Sequence, residues 1–239
     1  GVYIAPGSWF EKDPEYSLVF NTYPLISPEG KVILKYRKVN PWLPFEISLS
    51  PHDLLPDYKE ELFPVAKTDV GNLGLYICFD QMFPEVTRQL TFNGAEVLVQ
   101  CSAYMDPYGI EPTDWWTLTS RMRALENTAY GVNCQQGSGI TEVPPFTWSG
   151  RSMVVDYEGR VLAQGDRGEQ IVGATLDVSA LRHHRKTVLR HNLPAMFRAE
   201  AYDYFSKSAY PQSPDHRKNK DLKVQEIEES IEKGKARLY

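Results

Sequence analysis

The sequence predicts an α/β fold in which two sheets pack together with helices outside, a four-layer α-β-β-α sandwich. Three observations predict it: short apolar segments recur between turn residues, helical segments lie among them, and two hairpins interrupt the series. The succession of strand, helix and strand from Leu73 to Cys101 is a βαβ unit, which implies a largely parallel sheet. The hairpins add a second, related sheet.

The predicted strands are short apolar segments bounded by Gly, Pro, Asn or Asp. They are Val2–Ala5, Tyr23–Ile26, Val32–Tyr36, Leu73–Phe79, Val97–Cys101, Gly131–Gln135, Ser152–Asp156, Val161–Gln164 and Ile171–Leu176. Two segments have helical periodicity. The helix predicted over Pro84–Asn93 has proline in its first turn and Gly94 after its end, and the one over Trp115–Asn127 has Asp114 as its N-cap.

Two segments of the chain repeat one hairpin pattern. Leu25–Leu34 and Val154–Ala163 each read as a strand, a turn and a second strand. Each turn carries one glycine, Gly30 or Gly159, at the point where the backbone needs a positive φ. The pattern therefore predicts two hairpins with glycine in the left-handed region.

Composition excludes several classes of function. The 239 residues include 26 basic and 31 acidic ones, so a net charge of −5 gives no reason to expect nucleic acid or an anionic membrane as partner. No apolar run approaches the roughly 20 residues that span a bilayer. The three cysteines show no Cys-x-x-Cys spacing, which favours a reducing, cytoplasmic compartment. The opening residues, Gly-Val-Tyr-Ile-Ala-Pro-Gly, do not have the pattern expected of a secretory signal.

Cys78 is the first residue that could carry chemistry. It ends an apolar strand, immediately before the turn that leads to Pro84 and a helix. Ligand sites in α/β sheets form at that edge, and backbone N–H groups at such a turn favour a thiolate. By itself such a position is more often that of an ordinary buried core cysteine.

Lys38 and Glu46 are the second candidate pair. They stand eight positions apart, with Pro41 and Pro44 stiffening the path, and could form a held ion pair. By itself, a basic hairpin end followed by a proline-rich loop is more often a solvated surface. For Glu126 and Asn127, at the end of a predicted helix, the structural interpretation is favoured: their side chains would satisfy free backbone groups.

Taken together, these motifs resemble the nitrilase, or carbon–nitrogen hydrolase, superfamily. The order matches: Tyr-Arg-Lys at 36–38, Gly-x-x-x-Cys-x-Asp at 74–80, Arg-Ala-x-Glu-Asn at 123–127, and Gly-Arg-Ser at 150–152. The aliphatic amidase and formamidase branch is most similar, through Pro-Trp-x-Pro-x-Glu at 41–46 and the segment from Gly94 to Tyr104. The resemblance covers about Val2 to Leu181.

The resemblance implies a role for each matching residue. Cys78 would be the nucleophile, and Lys38 with the backbone N–H of Phe79 would stabilise the tetrahedral oxyanion. Glu46 would hold the lysine charge and help to position substrate and water. Trp42 and Tyr104 would line the acyl pocket, with core packing as the equal alternative. The implied substrate is a small amide or nitrile, without a cofactor, and the implied assembly is a homo-oligomer.

The sequence departs from the family pattern at its beginning. The family's general-base glutamate lies in a segment that precedes the region matched here, so a truncated chain, or else a degenerate homologue, is expected. Ser48 replaces a usual aromatic residue, and Asp53–Asp57 looks inserted. Both changes fall near the expected substrate mouth.

Two parts of the chain are expected: a carbon–nitrogen hydrolase domain over 1–181, and an extension or oligomerisation arm over 182–239. The second part includes the basic run at 182–186, an aromatic-rich stretch over Met196–Tyr210, a linker over Pro211–Pro214 and a charged segment from Asp215. Adjacent His183 and His184 lack metal-ligand spacing. The rival functions are nitrile hydrolysis, acyl transfer, and a non-catalytic assembly module.

Overall fold

The computed structural model of the protein describes residues 1–43, 45, 46, 48, 50–106, 108–139, 141, 147–203 and 224–238. Contacts between residues divide the chain into two compact units. The first unit comprises 1–8, 23–36 and 63–196, and the second comprises 9–22, 37–62 and the described part of 197–239.

A six-stranded sheet forms the centre of the first unit. Its strands, in spatial order, are β4 (Val65–Thr68), β5 (Gly71–Ile77), β6 (Val97–Ser102), β7 (Tyr130–Gln135), β8 (Met153–Val155) and β9 (Val161–Gln164). Strands β5, β6 and β7 are parallel, whereas the flanking pairs are antiparallel. The predicted βαβ unit is therefore confirmed, and it brings the carboxyl ends of three strands to one edge of the sheet.

Two helices of this unit bury their apolar side chains against the sheet and its neighbouring elements. Helix α1 (Pro84–Phe92) buries Val86 and Leu90, and α2 (Trp115–Asn127) buries Trp116 and Ala124. Burial of one such aliphatic side chain contributes about 2 kcal/mol. A Cβ at Gly74 of β5 would come within 3.3 Å of Leu90, so glycine permits this close helix–strand contact. The unit also contains α3 (Val178–Thr187) and α4 (Leu193–Met196).

The basic run at 182–186 lies inside α3, and its arginines bond to other elements of the first unit. Arg185 donates to the carbonyl groups of Thr128 and Ala95, at 2.8 and 3.0 Å. Arg182 donates to both carboxylate oxygens of Glu96. Helix α3 is therefore fastened to the chain segments around α2 and β6.

A three-stranded sheet has the order β1 (Trp9–Lys12), β2 (Val19–Ile26) and β3 (Val32–Arg37). The hairpins β2–β3 and β8–β9 are the two that the repeated sequence pattern predicts. Gly30 and Gly159 each have φ +78°, so the left-handed conformation is confirmed in both turns. A glycine reaches this region without the steric cost that a Cβ brings.

The second unit has its own small core of Leu18, Phe20, Leu54 and Tyr58. The guanidinium of Arg37 lies 4.5 Å from the centroid of the Phe20 ring and pairs with Asp13. Burial raises the pKa of Asp13, but a backbone N–H from Tyr16 and the charge of Arg37 outweigh it, and the net pKa lies below 3.8. The unit also contains helix α5 (Val224–Leu238).

Some predicted elements differ from the structure. Ile171–Leu176 is not a strand: Ile171 is fully exposed, and no strand in the described part of the chain pairs with the segment. Val2–Ala5 contributes only a single bridge, from Ile4 to Ile26. The strand predicted to end at Phe79 ends at Ile77, because the chain turns at Cys78. Strands β1 and β4 and helix α3 were not predicted.

Several expectations concern residues outside the described ones. They are the Pro211–Pro214 linker, positions 204–210 of the aromatic-rich stretch, the start of the charged segment at 215–223, and the stiffening proline at 44. In the described ranges, no helix combines the length and the apolar character that crossing a bilayer requires.

Candidate active site

Cys78 occupies a strained backbone position at the end of β5. It follows Ile77 directly, opens a short 3-10 helix over Cys78–Met82, and has φ +46°. For a residue with a Cβ the left-handed conformation costs about 1–2 kcal/mol, and it persists only where the surroundings impose it. The predicted location at the carboxyl end of an apolar strand is confirmed. Its thiol is half-buried and packs against a cluster that contains Tyr104 and Trp116.

The carboxylate of Asp80 holds the turn from inside. Asp80 is fully buried, and its Oδ2 accepts the backbone N–H of Ile77 at 3.1 Å. The same oxygen accepts the hydroxyl of Tyr36 on β3, at 2.7 Å. Tyr36 is also fully buried, so both bonds form away from bulk water, where polar groups need partners.

A second set of buried groups holds the carbonyl side of Cys78. The carbonyl oxygen of Cys78 accepts Gln100 Nε2 and the hydroxyl of Tyr104, each at 3.2 Å. Gln100 Nε2 also donates to Gln81 Oε1 at 2.9 Å. Gln81 in turn donates to Ser120 Oγ at 2.8 Å. The backbone around Cys78 is therefore tied to β6 and to α2.

Helix α2 supplies the outer part of this network. Arg123 Nε donates to the carbonyl of Gln81 at 2.8 Å, and its NH1 donates to Glu126 Oε1 at 2.6 Å. Arg88 contacts the same carboxylate at 3.7 Å. Asn127 donates to the carbonyl of Arg123, so its predicted backbone-satisfying role is confirmed. Glu126 instead directs its carboxylate to the two arginines.

Tyr104 lies in the apolar cluster against which Cys78 packs. Its backbone is fixed by the side chain of Gln135, which accepts its N–H at 3.1 Å and donates to its carbonyl at 2.9 Å. The Tyr104 ring meets Trp116 edge-on, with 6.0 Å between centroids. Burial, followed by the negative charge that Cys78 can carry, raises the pKa of Tyr104 well above its usual range. The hydroxyl therefore stays protonated and remains a donor.

Phe79 is the residue whose backbone N–H was predicted to contact the oxyanion. It lies in the 3-10 helix directly after Cys78, and its half-buried ring packs edge-on against Phe83, with 5.4 Å between centroids. Its role in oxyanion binding stays a prediction.

The second unit contains the predicted ion pair. Lys38 follows β3 directly, is 1% exposed, and its Nζ bonds to Glu46 Oε2. Glu46 Oε1 also accepts Asn21 Nδ2 at 2.8 Å, and Oε2 accepts the N–H of Trp42 at 2.6 Å. The structure thus confirms that the two side chains pair, and it adds Asn21 as a third member. Their catalytic roles stay predictions.

Trp42 and Ser48 complete the segment around this pair. The ring of Trp42 packs against Phe45, with 4.8 Å between centroids, and Phe45 is mostly exposed. Ser48, at the position where an aromatic residue was expected, is buried. The predicted contact of Trp42 with an acyl group stays a prediction.

Sequence reasoning missed the residues that hold Cys78 in place. Asp80 and Tyr36 both belong to quoted motifs, but neither was assigned a function. The signal that could have found them is position: Asp80 lies two residues after Cys78, and Tyr36 lies two residues before Lys38. Gln81 and Gln100 carry no comparable signal. Across the described residues, no three His, Cys, Asp or Glu side chains cluster as metal ligands would.

Comparison with known families gives one match that covers most of the chain. A model described as carbon-nitrogen hydrolase matches residues 1–186. Among curated proteins, the formamidase of Bacillus cereus (strain B4264) is 36% identical over 164 residues. That match covers 67% of this chain and 44% of the formamidase, so the chain spans less than half the length of this relative.

Solved structures give the same fold. Nit3 of Saccharomyces cerevisiae, described as a member of branch 10 of the nitrilase superfamily, aligns with a TM-score of 0.67 at 26% identity. The alignment covers 84% of this chain and 66% of Nit3. The NitFhit protein of C. elegans aligns with a TM-score of 0.67 at 27% identity, covering 84% of this chain and 48% of that protein. These neighbours confirm the predicted nitrilase-type α/β fold.

Proposed function

Since the chain belongs to the carbon–nitrogen hydrolase family of the nitrilase superfamily, we propose that its protein hydrolyses a small amide to a carboxylic acid and ammonia. The observation that carries the proposal is the conformation of Cys78. The cysteine lies at a strand end and is held at φ +46° by hydrogen bonds from buried residues on both sides, and backbone strain of this kind is typical of functional positions.

The reaction that we propose runs through an acyl-enzyme on Cys78. The thiolate attacks the amide carbonyl carbon, and the tetrahedral intermediate collapses with cleavage of the carbon–nitrogen bond. The thiol proton leaves with the nitrogen as ammonia, and a thioester remains. Water then attacks the thioester, releases the carboxylic acid and returns the thiol. The two steps together consume one amide and one water.

Lys38 is proposed to stabilise the oxyanion of both tetrahedral intermediates. A buried ammonium that a carboxylate holds in place stabilises the negative charge that develops on the substrate oxygen, because little water screens the interaction. Glu46, fixed by Asn21 and by the backbone of Trp42, keeps Lys38 in a defined geometry. This proposal requires the Lys38 ammonium and the Cys78 thiol to act on one substrate, as the family resemblance implies.

An amide is preferred over a nitrile as substrate because of the matched relatives. The Bacillus cereus formamidase, by its name, acts on an amide, and its 164 matched residues include most of the first 181 positions here. Product analysis by mass spectrometry separates the two substrates and also detects acyl transfer, since each leaves a different product. The homo-oligomer that the resemblance implies is also a proposal, and light scattering coupled to gel filtration measures it.

The decisive experiment compares Cys78→Ala with Cys101→Ala, a matched loss of a thiol on the neighbouring strand. Ammonia release from short-chain amides is expected to fall by at least about 10⁴-fold in the first variant and by less than about threefold in the second. Circular dichroism checks that both fold. Intact-mass measurement of the wild type during turnover should show an acyl adduct that is absent from Cys78→Ala.

Amide hydrolysis that persists in a folded Cys78→Ala protein would refute the assignment of the nucleophile. A wild type that hydrolyses no amide, and whose Cys78 acquires no acyl group from activated esters, would instead support the non-catalytic assembly module.

A further inference from the structure

We infer that Asp80 is a positioning residue for the reaction: together with Tyr36, its buried carboxylate sets the backbone conformation that presents the Cys78 thiol. The inference rests on the proposed nucleophilic role of Cys78 and deepens it. In this assignment Asp80 orients the thiol without being a reacting group. It acts through the peptide on the amino side of Cys78.

The geometry places this carboxylate where it can control the turn. Asp80 Oδ2 accepts the Ile77 N–H at 3.1 Å, so the residue before Cys78 is bonded back to the second residue after it. The loop that this bond closes contains only one φ in the left-handed region, that of Cys78 at +46°. The bond therefore constrains the direction in which the chain leaves β5.

Tyr36 gives the carboxylate its own fixed position. The hydroxyl donates to the same Oδ2 at 2.7 Å, across 44 positions of sequence, and both residues are fully buried. A hydrogen bond is stronger inside a protein than in water, and a buried network loses more when one member is removed. Strand β3 thus holds Asp80, and Asp80 holds the turn at Cys78.

Asp156 offers a structural counterpart at a different turn, that between β8 and β9. It is also buried, and its Oδ1 accepts the backbone N–H groups of Glu158 and Arg160, each at 2.9 Å. It therefore closes the β8–β9 turn much as Asp80 closes the turn after β5. Loss of either carboxylate removes turn bonds, but only loss of Asp80 should misdirect the nucleophile.

The test compares Asp80→Leu, Asp80→Asn and Tyr36→Phe with Asp156→Leu in the otherwise unchanged protein. Asp80→Leu removes both acceptor oxygens and should lower kcat by about 10²-fold with little change in KM, since small misplacement of a reacting group has that effect. Asp80→Asn keeps an acceptor for the Ile77 N–H and should restore kcat to within about tenfold of wild type. Tyr36→Phe should lower kcat by about three- to tenfold. Asp156→Leu should lower Tm and leave kcat within about threefold.

A second readout works even if amide turnover is too slow to measure, and the milder Tyr36→Phe variant serves if Asp80→Leu does not fold. Iodoacetamide labelling, followed by peptide mass spectrometry, gives the rate at Cys78 relative to the exposed Cys134 in the same molecule. The ratio should fall at least about fivefold in Asp80→Leu or Tyr36→Phe and stay unchanged in Asp156→Leu.

Two results would overturn the inference. In the first, kcat and the labelling ratio are both unchanged in folded Asp80→Leu and Tyr36→Phe. In the second, these variants lose no more kcat than Asp156→Leu does at an equal loss of Tm. Failure of the proposed function looks different. In that case Cys78→Ala retains amide hydrolysis, or the wild type has none, while the labelling ratio still reports whether Asp80 positions the thiol.

Discussion

The turn at Cys78 and the pair formed by Lys38 and Glu46 are both functional candidates, but different forces hold them. The turn is fixed by hydrogen bonds to its backbone: Asp80 accepts the Ile77 N–H, and Gln100 donates to the Cys78 carbonyl. Lys38 is fixed by one buried opposite charge. A nucleophile must point in a fixed direction, which a constrained backbone and its hydrogen-bond network supply. A cation that stabilises an oxyanion must stay charged where water is excluded, and a buried charge needs an opposite charge beside it.

This difference predicts different responses to mutation. Removal of one member of a buried ion pair leaves an uncompensated charge, whose cost falls mainly on stability. Removal of one member of the hydrogen-bond network around Cys78 leaves a buried polar group without one partner, which costs less stability than an unpaired charge but also misdirects the turn. The following variants test this contrast, from the largest expected effect to the smallest.

Lys38→Met should have the largest effect on stability. Among the described residues it leaves the Glu46 carboxylate with Asn21 and the Trp42 N–H as donors, and it should lower the free energy of unfolding by about 3–5 kcal/mol. Urea unfolding at pH 7 measures it. The double variant Lys38→Met/Glu46→Leu should recover much of that stability but none of the amide hydrolysis. A double variant as unstable as the single one would show that burial of charge is not the cause.

Arg123→Met should come next. It removes the bond to the Gln81 carbonyl and leaves Glu126 with Arg88 as its remaining arginine, at a cost of about 2–3 kcal/mol. Arg121→Met, on the exposed side of the same helix, is the matched control and should cost less than about 1 kcal/mol. Equal effects in the two variants would contradict the anchoring of the Cys78 turn by α2.

Glu96 provides a pH-dependent reference, remote from the Cys78 turn. The hydrogen bonds from Arg182 hold the pKa of Glu96 below its ordinary value of 4.5. The folded pKa is depressed, so its contribution to stability is present above the unfolded value and is lost as pH falls through the folded value. The difference in unfolding free energy between wild type and Glu96→Gln should be about 1–2 kcal/mol at pH 7 and should shrink below about pH 4. A difference that is constant from pH 7 to pH 3 would refute the pairing.

Gly159→Ala should have the smallest effect and calibrates the cost of a positive φ. An added Cβ would lie 3.3 Å from Leu125, and the left-handed turn adds strain, so a loss of about 1–2 kcal/mol is expected. Gly30→Ala has the same φ and open space around the Cβ, and should lose about 1 kcal/mol. If the two losses are equal, strain alone decides them; if Gly159→Ala loses more, contact with Leu125 contributes. Either result bounds the strain that Cys78 carries.

The sequence predicted most of the regular structure where local signals are strong. Pro84 starts its helix, Gly30 and Gly159 turn their hairpins, and the βαβ unit joins β5 to β6 as expected. Asp114 stands at the N-terminus of α2, but its side chain makes no capping bond and lies 3.6 Å from Arg151. The prediction of a strand over Ile171–Leu176 was wrong because an apolar pattern does not ensure that a neighbouring strand is there to pair with. The apolar pattern of a segment indicates where a strand can form, whereas strand pairing depends on segments that are distant in the sequence.

Residue identity and order alone determined the family, the α/β class and the position of Cys78 at a strand end, because these depend on patterns that are local in the chain. Only the tertiary structure decided what holds Cys78 at a positive φ. The bond from Tyr36 to Asp80 joins residues 44 positions apart, and the bond from Gln100 to the Cys78 carbonyl spans 22. Such contacts form only when strands and helices pack, so no local pattern encodes them.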